Sequence, residues 1–364
     1  MKIGRSLNDL AAEVVRQNSA KRDFVVPTQG IGFVPSDSTD GMIMTFGGDD
    51  IGGHILKVGE VAHGQIAEHT KIPAGYYNRM LKEDPSLLST NVDTWFKKYP
   101  APRMVRTLDG KCRAFLSDRY RPMDNAELLE AALPTIQELG VDVVSCEVTE
   151  KRLYLKVVDK AIRRDLPTGA ELGKGHHRFD TVSPALVISN SEVGFGSLSV
   201  LTSVWTQGCT NMMILERSMR KYHIGGRHEL GEDSFRLLSD QSRKLNDAAL
   251  WSSVRDVVKG AFDVARFDAV VEKLKQTAEN KMEGDPVKVV EVTAKKYSMT
   301  DTERTSVLQH LIKGGDLTQY GLHAAVTRTA EDLPDYDRAT EFEGFGGKIV
   351  ELEPQEWRQL ALAA

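Results

Sequence analysis

The residues with the most chemical potential lie between 95 and 121, WFKKYPAPRMVRTLDGKCRAFLSDRYR. Eight are basic: Lys97, Lys98, Arg103, Arg106, Lys111, Arg113, Arg119 and Arg121. Only Asp109 and Asp118 oppose them, so the stretch carries +6 inside a chain of formal charge −5. Trp95, Phe96, Tyr99, Phe115 and Tyr120 are interleaved. Cations neutralise phosphates and aromatic faces stack bases at about 1–3 kcal/mol each, so the mixture suits single-stranded nucleic acid. In that reading the eight cations hold phosphates, and Trp95 and Tyr120 stack. Alternation along a hairpin would put Lys111, Arg113 and Phe115 on one face. Two other readings stay open: a solvated strand face over core aromatics, and a site for a phosphorylated small ligand.

A second basic cluster, ERSMRKYHIGGRH, spans 216–228. Arg217, Arg220 and Lys221 join the candidate nucleic-acid-binding set, beside Arg227, His223 and His228. Gly225 and Gly226 would let backbone approach a ligand closely. A polar loop before a helix explains the same residues.

Other chemistry finds little support. His176 and His177 are adjacent and diverge on any regular element. His223 and His228 miss the i, i+4 spacing of a helical zinc pair, and Cys209 has no partner spacing. Gly194-Phe195-Gly196 lacks the third glycine of a dinucleotide loop and reads as a hairpin turn. EGFGGKIV has Phe342 and Ile349 where a phosphate-binding loop needs Gly and Ser or Thr. No metal, cofactor or catalytic residue is therefore assigned; a binding protein is the first expectation, and an enzyme on nucleic acid whose carboxylates assemble only in three dimensions stays open.

The elements that would position these residues form an α+β pattern. Leu7, Leu10, Ala11, Val14 and Val15 predict an amphipathic helix over 5–18. Strands and loops follow over 27–53, then two short helices over 60–80 with Pro73 opening the second. MVRTL, Asp109-Gly110 and KCRAFLS read as a β-hairpin with a type I′ turn. Asp124 caps a helix over 125–139 that Gly140 stops. VDVVSCEVTEKRLYLKVV is a second hairpin, and SPALVISN with SLSVLTSVW a third strand pair. Residues 160–183 are expected as a long mobile loop. Helices are expected within 231–280, 300–312 and 316–332. Residues 331–356 hold nine acidic residues against Arg338 and Lys348 and read as a partly flexible acidic tail. The expected organisation is a helical and loop region over 1–94, a core of antiparallel β-hairpins packed with a helix over 95–230, a helical flank over 231–332 and the acidic tail over 333–364.

Composition bounds the rest. A chain of 364 residues with 41% hydrophobic and 27% charged residues can build one large core or two. Net acidity excludes a uniformly basic coat protein but not a basic face. Three cysteines with no CxxC pair argue for a reducing compartment. No apolar leader and no membrane-length apolar run is present, so a cytoplasmic protein is expected.

RAFLSDRYRPMDNAELLEAALP (113–134) resembles the phage/plasmid-like protein family, a domain of unknown function from bacteriophages, prophages and plasmids. PALVISN (184–190), GFGSLSVLTS (194–203), GCTNMM (208–213) and YGLHAAVTRTA (320–330) extend the resemblance over roughly residues 60–335. It implies a mobile-element gene near DNA-metabolism genes and transfers no catalytic residue. A helix between hairpins beside a basic-aromatic stretch is also similar to single-strand annealing proteins, which assemble into rings. The expected function is single-stranded DNA binding or annealing in recombination or replication, by a homo-oligomer in the host cytoplasm. The alternative is a non-catalytic protein that binds a host or phage replication or recombination protein, through the acidic tail.

Overall fold

The computed structural model describes residues 1–36, 41–47, 53–171, 177–207, 210–221 and 240–363. Chain order begins with α1 (Leu7–Ala20), β1 (Arg22–Pro27), a 3-10 turn at Thr28–Gly30, β2 (Ile31–Pro35), β3 (Met42–Phe46) and β4 (His54–Val58). α2 (Glu60–Thr70), α3 (Ala74–Glu83) and α4 (Pro85–Lys98) follow. Asp84 accepts from the Leu87 amide and Pro85 sits where no intrahelical donor is needed, which starts α4.

The first sheet adds β5 (Pro102–Leu108) and β6 (Lys111–Ser117) in the order β1-β5-β6-β4-β3-β2. Every pairing is antiparallel except β4 with β6. α2, α3 and α4 cover one face through Ile66, Tyr77, Leu88, Val92 and Phe96, packed on Phe33, Met44, Val105 and Phe115. Strands from both sides of residue 95 thus share one sheet, and the boundary expected at 94/95 runs through α4.

α5 (Asn125–Glu138) opens with a reciprocal capping box between Asp124 and Glu127, and Gly140 follows it at φ 66°. β7 (Asp142–Val148), β8 (Leu153–Val158), β9 (Arg164–Glu171), β10 (His177–Asn190), β11 (Leu198–Thr206) and β12 (Asn211–Lys221) build the second sheet. Its order is β12-β11-β10-β8-β7, with β9 also paired to β10. The loop expected over 160–183 is corrected: residues 164–171 and 177–183 are antiparallel strands, with Val182 opposite Arg164. Polar side chains hid them, because Thr168 and Ser183 are buried there.

Helices cover both faces of this sheet, which is why β8 is buried along its whole length. α1, α5 and α6 (Asp240–Gly260) pack Leu10, Leu128 and Val254 on one face. α7 (Val264–Glu279), α8 (Pro286–Lys296), α9 (Asp301–Gly314), α10 (Gln319–Thr329), α11 (Tyr336–Val350) and α12 (Pro354–Ala361) follow; Tyr336 of α11 packs on the other face with Tyr154, Val187 and Trp205, while Phe267 of α7 and Tyr320 of α10 pack with Leu166, Val182 and Val204. The expected flexible tail is likewise corrected. Phe342, Ile349 and Trp357 of α11 and α12 enter a core with Val289, Val307 and Leu322. Lys156 of β8 and Glu343 of α11 form an ion pair at 2.7 Å with neither side chain exposed. Cys112 lies buried in the first sheet and Cys146 in the second, both as free thiols.

Candidate nucleic-acid interface

The hairpin that carries the basic run is shaped by its turn and by one extra residue. Asp109 at φ 50° and Gly110 at φ 74° adopt the left-handed pair that a type I′ turn requires. Arg106 pairs with Ala114 but Thr107 pairs with Cys112, so Arg113 is a bulge residue. The bulge resets the alternation. Cys112 and Phe115 enter the same core, whereas Ala114 and Leu116 pack on Val61 and Val193. Lys111, Arg113 and Phe115 therefore do not share the face expected for them.

The bulge aims much of the basic run inward. Arg106 has no exposed surface. Its Nε donates to Asp23 Oδ1 at 2.9 Å, one terminal nitrogen to the Glu192 carbonyl at 2.8 Å and the other to Asp124 Oδ1 at 3.0 Å. Arg113 donates to Glu192 Oε2 at 2.8 Å, and Lys21 lies 2.6 Å from Asp124 Oδ2. The other Glu192 oxygen accepts from the Asn125 amide at 2.7 Å. Three cations thus meet three carboxylates drawn from β1, the start of α5 and the β10–β11 connection. Burial opposes ionisation of Asp124, but Arg106 and Lys21 outweigh it and hold that carboxyl below its usual range.

Four of the expected contacts are corrected by this arrangement. Arg106 and Arg113 are committed to buried ion pairs and cannot turn to a phosphate without stranding carboxylates. Tyr120 donates its hydroxyl to the Ser191 carbonyl at 3.0 Å and lies under the Arg106 guanidinium. Arg121 pairs with Asp247 of α6. Arg106 is fully buried and the other three are half-buried, and together they join the first sheet to the elements of the second.

The rest of the run divides between the two ends of the hairpin. Lys111 is exposed beside the turn, where it pairs in register with Lys57. Arg103 lies opposite Ser117, so the end of α4 and Arg119 gather at the far end. That is five residues along β5, about 17 Å away. There Trp95 and Tyr99, one helical turn apart, stack with ring centroids 5.8 Å apart and planes at 10°. Lys98 holds its ammonium 5.4 Å from the Trp95 ring and 5.6 Å from the Tyr99 ring. Tyr99 is 62% exposed, and Lys97 is exposed next to it.

A rigid base supports this platform. Phe96 is buried and stacks on Phe115 at 5.5 Å, fixing the last turn of α4 to β6. His69 packs edge-on against Phe115, and burial with the nearby Arg103 holds its ring below its ordinary pKa. Arg103 lies over Phe115 at 5.1 Å and donates to the Phe115 carbonyl at 3.3 Å. Tyr99 and His69 were not among the residues assigned from sequence. The i, i+4 spacing of Trp95 and Tyr99 in WFKKY was the available sign for Tyr99. Nothing in the sequence brings His69 to the hairpin.

The second basic cluster contributes no described geometry. Arg217, Arg220 and Lys221 lie on β12 by backbone, and their side chains fall outside the described residues. So do residues 222–239, with His223, Arg227 and His228, as well as Cys209, His176 and the His177 side chain. Among the described residues no group of three or more His, Cys, Asp or Glu is placed to hold a metal. None of their helices is long and apolar enough to cross a membrane. No family model, curated protein or solved structure matches the chain.

Proposed function

We propose that this chain binds single-stranded nucleic acid at the end of α4, with Trp95 and Tyr99 as the stacking surface. Lys97 and Lys98 flank that surface as the first phosphate contacts, and Arg103 and Arg119, at the same end of the hairpin, would take up the strand beyond it. The observation that carries the reading is the stack of exposed Tyr99 on half-buried Trp95, with Lys98 beside both rings. Base stacking tolerates any sequence, and a cation beside the ring serves the phosphate that follows each base. The resemblance to phage and plasmid proteins supports a role in replication or recombination, with strand annealing by an oligomer as the form it would take.

The test is fluorescence anisotropy with a labelled strand of about 40 nucleotides, as DNA and as RNA, beside the matching duplex. Binding should prefer the single strand and weaken steeply between low and moderate salt. Tyr99→Ala removes an exposed ring without opening the core and should weaken binding by roughly five- to a hundredfold. Lys97→Glu with Lys98→Glu should weaken it and flatten its salt dependence. Unchanged affinity in both variants removes this site.

A further inference from the structure

A second concave site shares no residue with that platform. Strands β9 and β10 and helices α9 and α10 enclose a cavity of about 340 Å3. Its walls sort by charge. Asp180, Asp316, Asn211 and Tyr320 form the inner part, and Arg178, Lys313 and Arg328 form an exposed cationic rim.

The inner part offers acceptors. Tyr320 donates its hydroxyl to Asp180 Oδ2 at 2.9 Å, and Asp180 also faces Arg178 at 3.8 Å. Asp316, 7% exposed, accepts from the Gly169 amide at 3.0 Å and the Thr318 hydroxyl at 2.6 Å. Each oxygen of a carboxylate has room for a second donor. Asn211 is 5% exposed; its amide nitrogen donates to the Ala324 carbonyl, and its Oδ1 has no partner. A buried acceptor left without a donor is costly, so this wall suits a ligand that brings hydroxyl or amine hydrogens. His310 borders the cavity with Nε2 at 2.7 Å from Asp332, which fixes its ring at the rim.

Acceptors inside and cations outside describe a ligand with donors at one end and an anion at the other. The volume suits a molecule of sugar-phosphate to mononucleotide size. We propose that this cavity binds a phosphorylated sugar, free or as part of a mononucleotide. The phosphate lies at Arg178, Lys313 and Arg328, and the sugar hydroxyls donate to Asp180, Asp316 and Asn211 Oδ1. Arginine forks match phosphate oxygens two at a time, which makes Arg328 the main rim contact.

Isothermal titration calorimetry of the full chain with ribose 5-phosphate, adenosine monophosphate and inorganic phosphate tests the assignment. A sugar phosphate should bind at least about tenfold tighter than inorganic phosphate, and Arg328→Gln should weaken it at least about tenfold. Arg328 is exposed, so the variant should keep the parent melting temperature. Equal binding of ribose 5-phosphate and adenosine monophosphate places recognition in the sugar phosphate. Tighter binding of the nucleotide places the base inside as well. Equal affinity for inorganic phosphate would reduce the cavity to an anion site and overturn the proposal. So would an unchanged Arg328→Gln titration, or no binding of any of the three.

Discussion

Arg106 shows how one side chain can belong to three elements at once. Its planar fork reaches Asp23, Asp124 and the Glu192 carbonyl along separate directions. A lysine has no such fork, so Arg106→Lys keeps the charge and loses most of the geometry. Arg106→Met strands Asp23 and Asp124 beside a buried surface and should cost about 3–5 kcal/mol in urea unfolding. An unchanged midpoint would show that the network adds nothing to stability. Two histidines give a second expectation at this scale. Burial depresses the His63 ring to about 4 and the His323 ring to about 3, from 6.5. His63 still shares Nδ1 with the Tyr77 hydroxyl at 2.8 Å, whereas neither His323 nitrogen has a partner. Below pH 6.5 the unfolded chain takes up protons that the folded chain refuses. Stability is therefore full above that pH and falls as the medium is acidified, by up to about 1.4 kcal/mol per pH unit for each ring. Urea midpoints between pH 7.5 and 5 should fall, and fall less in His323→Leu. An equal fall in that variant would mean that His323 is protonated in the native protein.

At the scale of elements, the acidic C-terminal stretch is the instructive case. In α11 the residues Tyr336, Ala339, Phe342, Gly346 and Ile349 repeat at helical spacing and are all buried. Gly346 and Gly347 admit Thr327 and the Ile214 carbonyl, where a β-carbon would collide. Ending the chain after Ala330 removes this helix and α12, uncovers Leu322 and Val326, and leaves the Lys156 ammonium without Glu343. That orphaned charge alone is worth about 3–5 kcal/mol. The shortened chain should lose near-ultraviolet circular dichroism and its cooperative melt; retention of both would show that these helices are accessory. The same helix explains what sequence reading reaches. The 102–117 hairpin and α5 were legible because Asp109-Gly110, Asp124 and Gly140 act locally. α11 was not, because its glycines and acids read as breakers until a neighbouring helix and strand require small residues and a buried cation requires Glu343. α8 was missed in the same region. In the interface, the platform was half legible, since Trp95, Lys97 and Lys98 are adjacent in sequence. The inward turn of Arg106 was not, because Asp23 and Glu192 stand 83 and 86 residues away.

Across the whole molecule, the basic run serves two ends at once. Its inner residues tie the first sheet to the start of α5 and to the second sheet, and its outer residues form the platform at the end of α4. The tie is electrostatic but buried, so salt that weakens an exposed platform should leave it largely intact. A further consequence follows from where the cysteines sit. Burial pushes the Cys112 thiol up to about 12 and the Cys146 thiol up to about 11, so neither reacts while its sheet is closed. Each sheet therefore contains its own chemical clock. With an alkylating reagent and mass spectrometric readout of the two peptides, matched modification times would mark a single concerted opening. In Arg106→Met the two clocks should drift apart, each then keeping the time of its own half.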